Sequence, residues 1–166
     1  MVRSIFVCML FIVVSGQSQA ACADDFQGRG TEMSDYKGPQ DKPEELGRDL
    51  VESMAQPYIE EAKRTYPQAK ARFQSGLPAG YTFFVTIDLH ENKFHENAFM
   101  AVRKIFDGNV TAVLATKLIN VKSLQYGKLC VFPESEVIDW TITSPDGKEE
   151  GNFVGRFLDE YYRTHP

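Results

Sequence analysis

The run Tyr81-Thr82-Phe83-Phe84-Val85-Thr86-Ile87-Asp88-Leu89-His90 alternates so regularly that it restricts the chain to a small set of folds. Tyr81, Phe83, Val85, Ile87 and Leu89 share one face at period two, while Thr82, Thr86, Asp88 and His90 share the other. One face is expected buried and the other mostly wet, as antiparallel sheets allow. Such a strand needs partners, and the next segments supply them. After a polar connection from Glu91 to Glu96, a strand is expected over 98–106. Asp107-Gly108 then tolerates the positive φ of a type I′ turn, and Asn109 to Thr116 returns as the third strand.

Two more strands follow: Leu129 to Phe132, stopped by Pro133, and Val137 to Thr143. In the latter, alternation puts Ile138, Trp140 and Ile142 on the core face and leaves Asp139 outward with Thr141. Ser144-Pro145-Asp146-Gly147 has the composition of a type I turn. Ahead of the strands the spacing is helical. Pro43 suits the first helical position, and Leu46, Leu50 and Met54 recur every fourth residue. Pro57 is expected to end or kink this helix. Tyr58 to Phe73 forms its second piece, with Ile59, Ala62, Tyr66, Ala69 and Phe73 on one face and a further break near Pro67. Lys63, Arg64, Lys70 and Arg72 read as a solvated basic face. Gly151-Asn152 opens a closing helix, with Asn152 as its cap and Phe153, Phe157, Leu158 and Tyr161 toward the sheet. The expected architecture is α+β: an N-terminal helix broken near its prolines and a short C-terminal helix, packed on an antiparallel sheet of about five strands.

Size and charge narrow the function classes. The 166 residues fit one domain, here 43–164, able to build a core without metal or disulfide staples. A net charge of −5 lacks the basic stripe that a nucleic-acid partner would require. Residues 1–20 have the layout of a secretory signal: Arg3, an apolar run from Ile5 to Val14, then small residues to Ala20. Residues 21–42 read as a polar, disordered leader or tether. The expected destination is therefore the periplasm or the medium. Cys22 stands where a lipoprotein signal would place its lipidated cysteine, although Gln19 is not the aliphatic residue such signals prefer. Lipidation of Cys22, a bridge from Cys22 to Cys130 and two free thiols all stay open.

Further identity comes from a set of short motifs: Ala62-Lys63-Arg64-Thr65, His95-Glu96-Asn97-Ala98-Phe99-Met100, Val110 to Ala115, Leu124-Gln125-Tyr126-Gly127, Ile138-Asp139-Trp140, and Asp146-Gly147 with Glu150-Gly151. Together they resemble the YegJ-like domains of unknown function (DUF2314) over about residues 59 to 158. The resemblance implies a small α+β domain and brings no reaction, substrate or catalytic residue with it. Phe99-Met100 departs from the tryptophan that many relatives carry in that region.

His90, His95 and Glu96 are the candidate metal ligands, but the two histidines are five apart, where a shared helix face needs four and a strand sends them to opposite sides. No metal and no other cofactor is expected. Cys130 lies within Leu129-Cys130-Val131-Phe132, an apolar setting for a thiol that would have to be reactive. Asp139, Gly151 and Asn152 remain as candidates for contact with a ligand or partner, the last two because a helix start can hold an anion. The expected function is a non-enzymatic binding or interaction domain of the periplasm or envelope, immunity-like in size and acidity. Its partner would be a protein, with a membrane involved only if Cys22 is lipidated. A small metal-assisted hydrolase using the His90–Glu96 loop and a lipid-tethered structural protein of the envelope are the alternatives.

Overall fold

The structure is a computed structural model, and it describes residues 21–23, 45–92 and 94–165. The secretory signal expected at 1–20 and most of the expected leader lie outside the described residues. The element order is β1 (Ala21–Ala23), α1 (Glu45–Ser75), β2 (Thr82–Glu91), β3 (Phe94–Phe106), β4 (Asn109–Leu114), β5 (Leu129–Pro133), a 3-10 turn (Glu134–Glu136), β6 (Val137–Thr143), β7 (Glu149–Gly151) and α2 (Phe153–Thr164). The strands form one antiparallel sheet in the order β1-β5-β4-β3-β2-β6-β7. The five long strands are the expected ones. The three-residue strands β1 and β7 extend the sheet at its two edges. Ala21–Ala23, read from sequence as leader, is thus strand.

The core lies between α1 and one face of the sheet. Phe83, Val85, Ile87 and Leu89 of β2 meet Met100, Val102, Val110, Ala112 and Trp140 there, as the alternation required. Against them α1 sets Ala62 and Ala69, both buried, with Tyr66 and Phe73 half-buried. Small residues at these points let the helix approach the sheet closely, and the two aromatic rings lie beside Phe83.

Helix α1 runs unbroken through Pro57 and Pro67, so the expected breaks do not occur. Both prolines sit on its exposed side. The carbonyls four residues earlier, at Ser53 and Lys63, also belong to exposed residues, where water can replace the missing N–H donors. Val51, Ala55, Ala62 and Ala69 on the opposite side are buried and hold the axis together. Leu50 and Met54, which recur at four-residue spacing in the sequence, point outward at 57% and 41% exposure.

In β6, strict alternation fails at one place. Thr86 pairs with Asp139, but Ile87 pairs with Val137, so Ile138 is an extra residue in a β-bulge. The bulge moves Val137 to the core face with Trp140 and Ile142, while Ile138 is only half-buried. Asp139, expected outward, is 1% exposed.

Candidate functional site

Asp139 closes the joint between β6 and α2. Its Oδ1 accepts the Trp140 N–H at 2.7 Å, and its Oδ2 accepts the Val154 N–H at 2.7 Å. The first amides of a helix have no partner within the helix, so this carboxylate caps α2 from a neighbouring strand. Burial pushes the Asp139 carboxyl above the usual aspartate range, against the opposing pull of the Val154, Trp140, Phe153 and Gly155 amides. The anion that the start of α2 can hold is therefore one of the chain's own.

Asn152 sits at the cap position but does not cap with its side chain. Its backbone is left-handed, with φ 52°, and its Nδ2 donates to Glu149 Oε2 at 2.7 Å. Gly151 is fixed by the same joint. A Cβ at Gly151 would lie 2.2 Å from the Trp140 carbonyl oxygen and 2.7 Å from the indole ring. Trp140 is buried as expected, and its Nε1 donates to Thr65 Oγ1 of α1 at 3.0 Å. All three candidates drawn from this region hold the fold together.

The histidines meet differently from the sequence expectation. The hairpin between β2 and β3 turns at Asn92, which has φ 56°, and pairs His90 directly with His95. The two rings stack at 5.5 Å rather than lying on opposite faces. His90 Nε2 is 3.0 Å from Asp88 Oδ2, and His95 stands between Asp88 and Glu52 of α1 at 3.3 and 3.1 Å. Glu96 takes no part. Its carboxylate accepts the Ile119 N–H at 2.8 Å and the Asn120 N–H at 2.9 Å. Glu91 holds the same loop through the Lys122 and Ser123 amides, and those bonds, with Ser123 foremost, keep its carboxyl below the usual range. Among the described residues, no group of three or more His, Cys, Asp or Glu is placed to hold a metal ion.

Cys130 is buried and disulfide-bonded. The β1–β5 register sets the backbone of Cys22 directly opposite Cys130. The Cys22 side chain, on which the lipidation and bridge readings both turn, lies outside the described residues.

Two concavities flank α1. One, of about 220 Å³, is bordered by Lys63, Tyr66, Glu134, Ile138 and Trp140. Glu134 within it is paired, Lys70 Nζ reaching it at 2.7 Å, and burial with the Glu134 charge raises the Tyr66 phenol above its usual range. The other, about 390 Å³, runs between α1 and α2 and is lined by Tyr58, Phe153, Arg156, Phe157, Glu160 and Tyr161. Tyr58 stacks on Phe157 at 4.6 Å, and Phe157 lies 6.0 Å from Tyr161. Phe157 and Tyr161, expected against the sheet, thus line a groove beside α1. Leu50, Met54 and Tyr58 continue it along α1 at four-residue spacing. The other exposed large apolar side chains are Phe106, at a hairpin tip beneath Lys104 Nζ, Ile119 and Tyr126 in the loop after β4, Tyr81 before β2, Phe94 at the start of β3, and Val131 of β5. Single exposed residues of that kind are ordinary, whereas a continuous strip is not.

The signal for this strip was present in the sequence as the Leu50-Met54-Tyr58 spacing. No described helix is long and apolar enough to cross a membrane. Compared with protein-family models, curated proteins and solved structures, the chain finds no match.

Proposed function

We propose that this chain is an exported, non-enzymatic binding domain of the YegJ-like (DUF2314) type that engages a protein partner through the α1–α2 groove. The observation that carries the reading is the apolar strip Leu50, Met54, Tyr58, Phe157 and Tyr161 along α1 and α2. Aromatic side chains beside a concavity are the usual anchors of protein interfaces. The polar candidates support the same reading. Asp139 caps α2, and Glu96 and Glu91 hold the 119–123 loop, so their oxygens are engaged within the fold. The disulfide at Cys130 supports residence in an oxidising compartment.

A photo-reactive amino acid at Met54 in the exporting cell tests the proposal. A cross-linked adduct with a second protein, formed at position 54 and absent when the probe is at Phe106, is the expected result. Equal labelling at both positions, or none at either, would overturn the reading.

A further inference from the structure

We infer that the partner segment seated on the α1–α2 groove carries a carboxylate beside its apolar anchor, and that Arg156 receives it. The inference rests on the binding reading above and adds the chemistry of the occupant. Phe153, Arg156, Phe157, Glu160, Tyr161 and Thr164 recur at three- and four-residue spacing, so they form the face of α2 that lines the groove with Tyr58. Two of these lining residues are charged. Glu160 is neutralised from its own helix: Arg163 Nη2 lies 2.6 Å from its Oε1, and Arg163 Nε donates to its Oε2 at 3.1 Å. Arg156 has no such partner, since no carboxylate among the described residues pairs with it. Its Nε donates to the Asn152 carbonyl at 3.2 Å, and its guanidinium lies over the Phe153 ring at 5.5 Å.

These two contacts orient the guanidinium without using its Nη groups. A guanidinium held in this way offers a fork that matches a carboxylate, with less side-chain freedom left to lose on binding. The groove, of about 390 Å³, supplies the apolar half of the site through Tyr58, Phe153, Phe157 and Tyr161. Tyr and Arg together are the side chains that anchor most protein interfaces. The acids of α1 do not offset Arg156. Glu61 pairs with Arg64 at 2.6 Å, Glu52 turns to His95 at 3.1 Å, and Glu60 stands about 200° round the helix from Tyr58. The unneutralised charge of the groove is therefore positive, and it selects an acidic occupant.

A random peptide library, selected on the purified exported chain, tests the inference. The expected peptides carry Asp or Glu next to Phe, Tyr or Leu. In calorimetry, replacing that acid by its amide should weaken binding tenfold or more on the native chain and less than twofold on R156Q. Y58S should weaken the acidic peptide tenfold or more, and F106S should leave it unchanged. Arg156 is exposed and makes one backbone hydrogen bond, so R156Q should fold, which circular dichroism checks for each variant.

An acid-to-amide loss of equal size on the native chain and R156Q would overturn the inference. So would light scattering that finds a dimer which R156Q dissolves, because a second copy would then be the occupant. Selected peptides that lack acids but lose affinity in Y58S would leave the binding reading standing and remove this inference alone. A selection without binders, or with binders indifferent to Y58S, would remove both.

Discussion

Asp139 Oδ2 accepts the Val154 N–H at 2.7 Å, so a carboxylate in strand β6 caps a helix that begins fourteen residues later. The bond joins β6 to α2 at the point where the sheet ends. Removing it leaves two buried amides without acceptors, and D139A should lose about 3 kcal/mol of stability. D139N keeps one acceptor and should lose less. Urea denaturation checks both, and a D139A variant as stable as the native chain would exclude the capping role.

The same carboxyl predicts a pH dependence of definite sign. Its folded pKa is raised by burial above the ordinary aspartate value of about 3.9. As pH climbs from below that value through the raised one, the unfolded chain releases its proton first. The contribution of Asp139 to stability is therefore full at the acid end and is lost as pH rises. The stability margin of the native chain over D139N should shrink across this window. A margin that widens would mean that the amide donors outweigh burial.

Gly151 allows a sharper test, because backbone conformation and space both demand glycine there. Its φ is 83°, and a Cβ would fall 2.2 Å from the Trp140 carbonyl oxygen and 2.7 Å from the indole. Gly108 also has positive φ, at 69°, but has open space around its Cα. G108A should cost about 1–2 kcal/mol from backbone strain alone. G151A should cost more than about 4 kcal/mol, placing it among the exceptional single substitutions. Thermal melts of the two variants, compared side by side, separate the contributions.

Much of the fold was legible because β2 to β6 carry alternation and turn residues that agree with each other. Three features were not, each for a local reason. Pro57 and Pro67 predict breaks only if the carbonyls they orphan are buried, and periodicity could not place both on the wet side. Helix α1 has two apolar stripes, and size suggests burying the one with Leu50 and Met54. Close packing on the sheet instead selects the stripe with Ala55, Ala62 and Ala69. Asp139 stays on the face opposite Trp140, in register with Thr86, and is buried because the start of α2 covers it there. A tertiary contact of this kind leaves no compositional mark. The candidate groove suffers from the same ambiguity, since its residues are apolar and spaced like a core.

Trp140 ties β6 to α1 through apolar burial and one hydrogen bond, and the two can be separated. W140A should cost about 3–5 kcal/mol, because the indole is 4% exposed. T65V leaves the ring in place and removes only the acceptor 3.0 Å from Nε1, at about 1 kcal/mol or slightly more. Chemical denaturation of W140A, T65V and the double variant measures how far the two effects overlap.

Glu96 should govern the order of the loop between β4 and β5 without affecting the core. The Ile119 and Asn120 amides, at 2.8 and 2.9 Å, converge on its two oxygens. In E96Q one oxygen becomes an NH₂ that cannot accept, so an amide donor is left facing a donor. Hydrogen exchange at 119–121 should quicken by about tenfold, with the β2 and β3 amides unchanged. Global acceleration would instead mean that the loop unfolds together with the sheet.

Cys130 is disulfide-bonded, and the Cys22 backbone stands opposite it in the β1–β5 register, so Cys22 is its expected partner. If residues 1–20 are removed on export as the sequence leads one to expect, Cys8 leaves with them. The exported chain, unfolded without reductant, should then show no thiol open to alkylation, and C22S should show one. The bridge would close a loop on the order of 100 residues, and reduction should lower stability by about 4–5 kcal/mol in the chain-entropy account. A thioether on Cys22 and a bridge from it exclude each other. An N-terminal peptide carrying a diacylglyceryl mass would therefore refute the pairing and mark the chain as membrane-tethered.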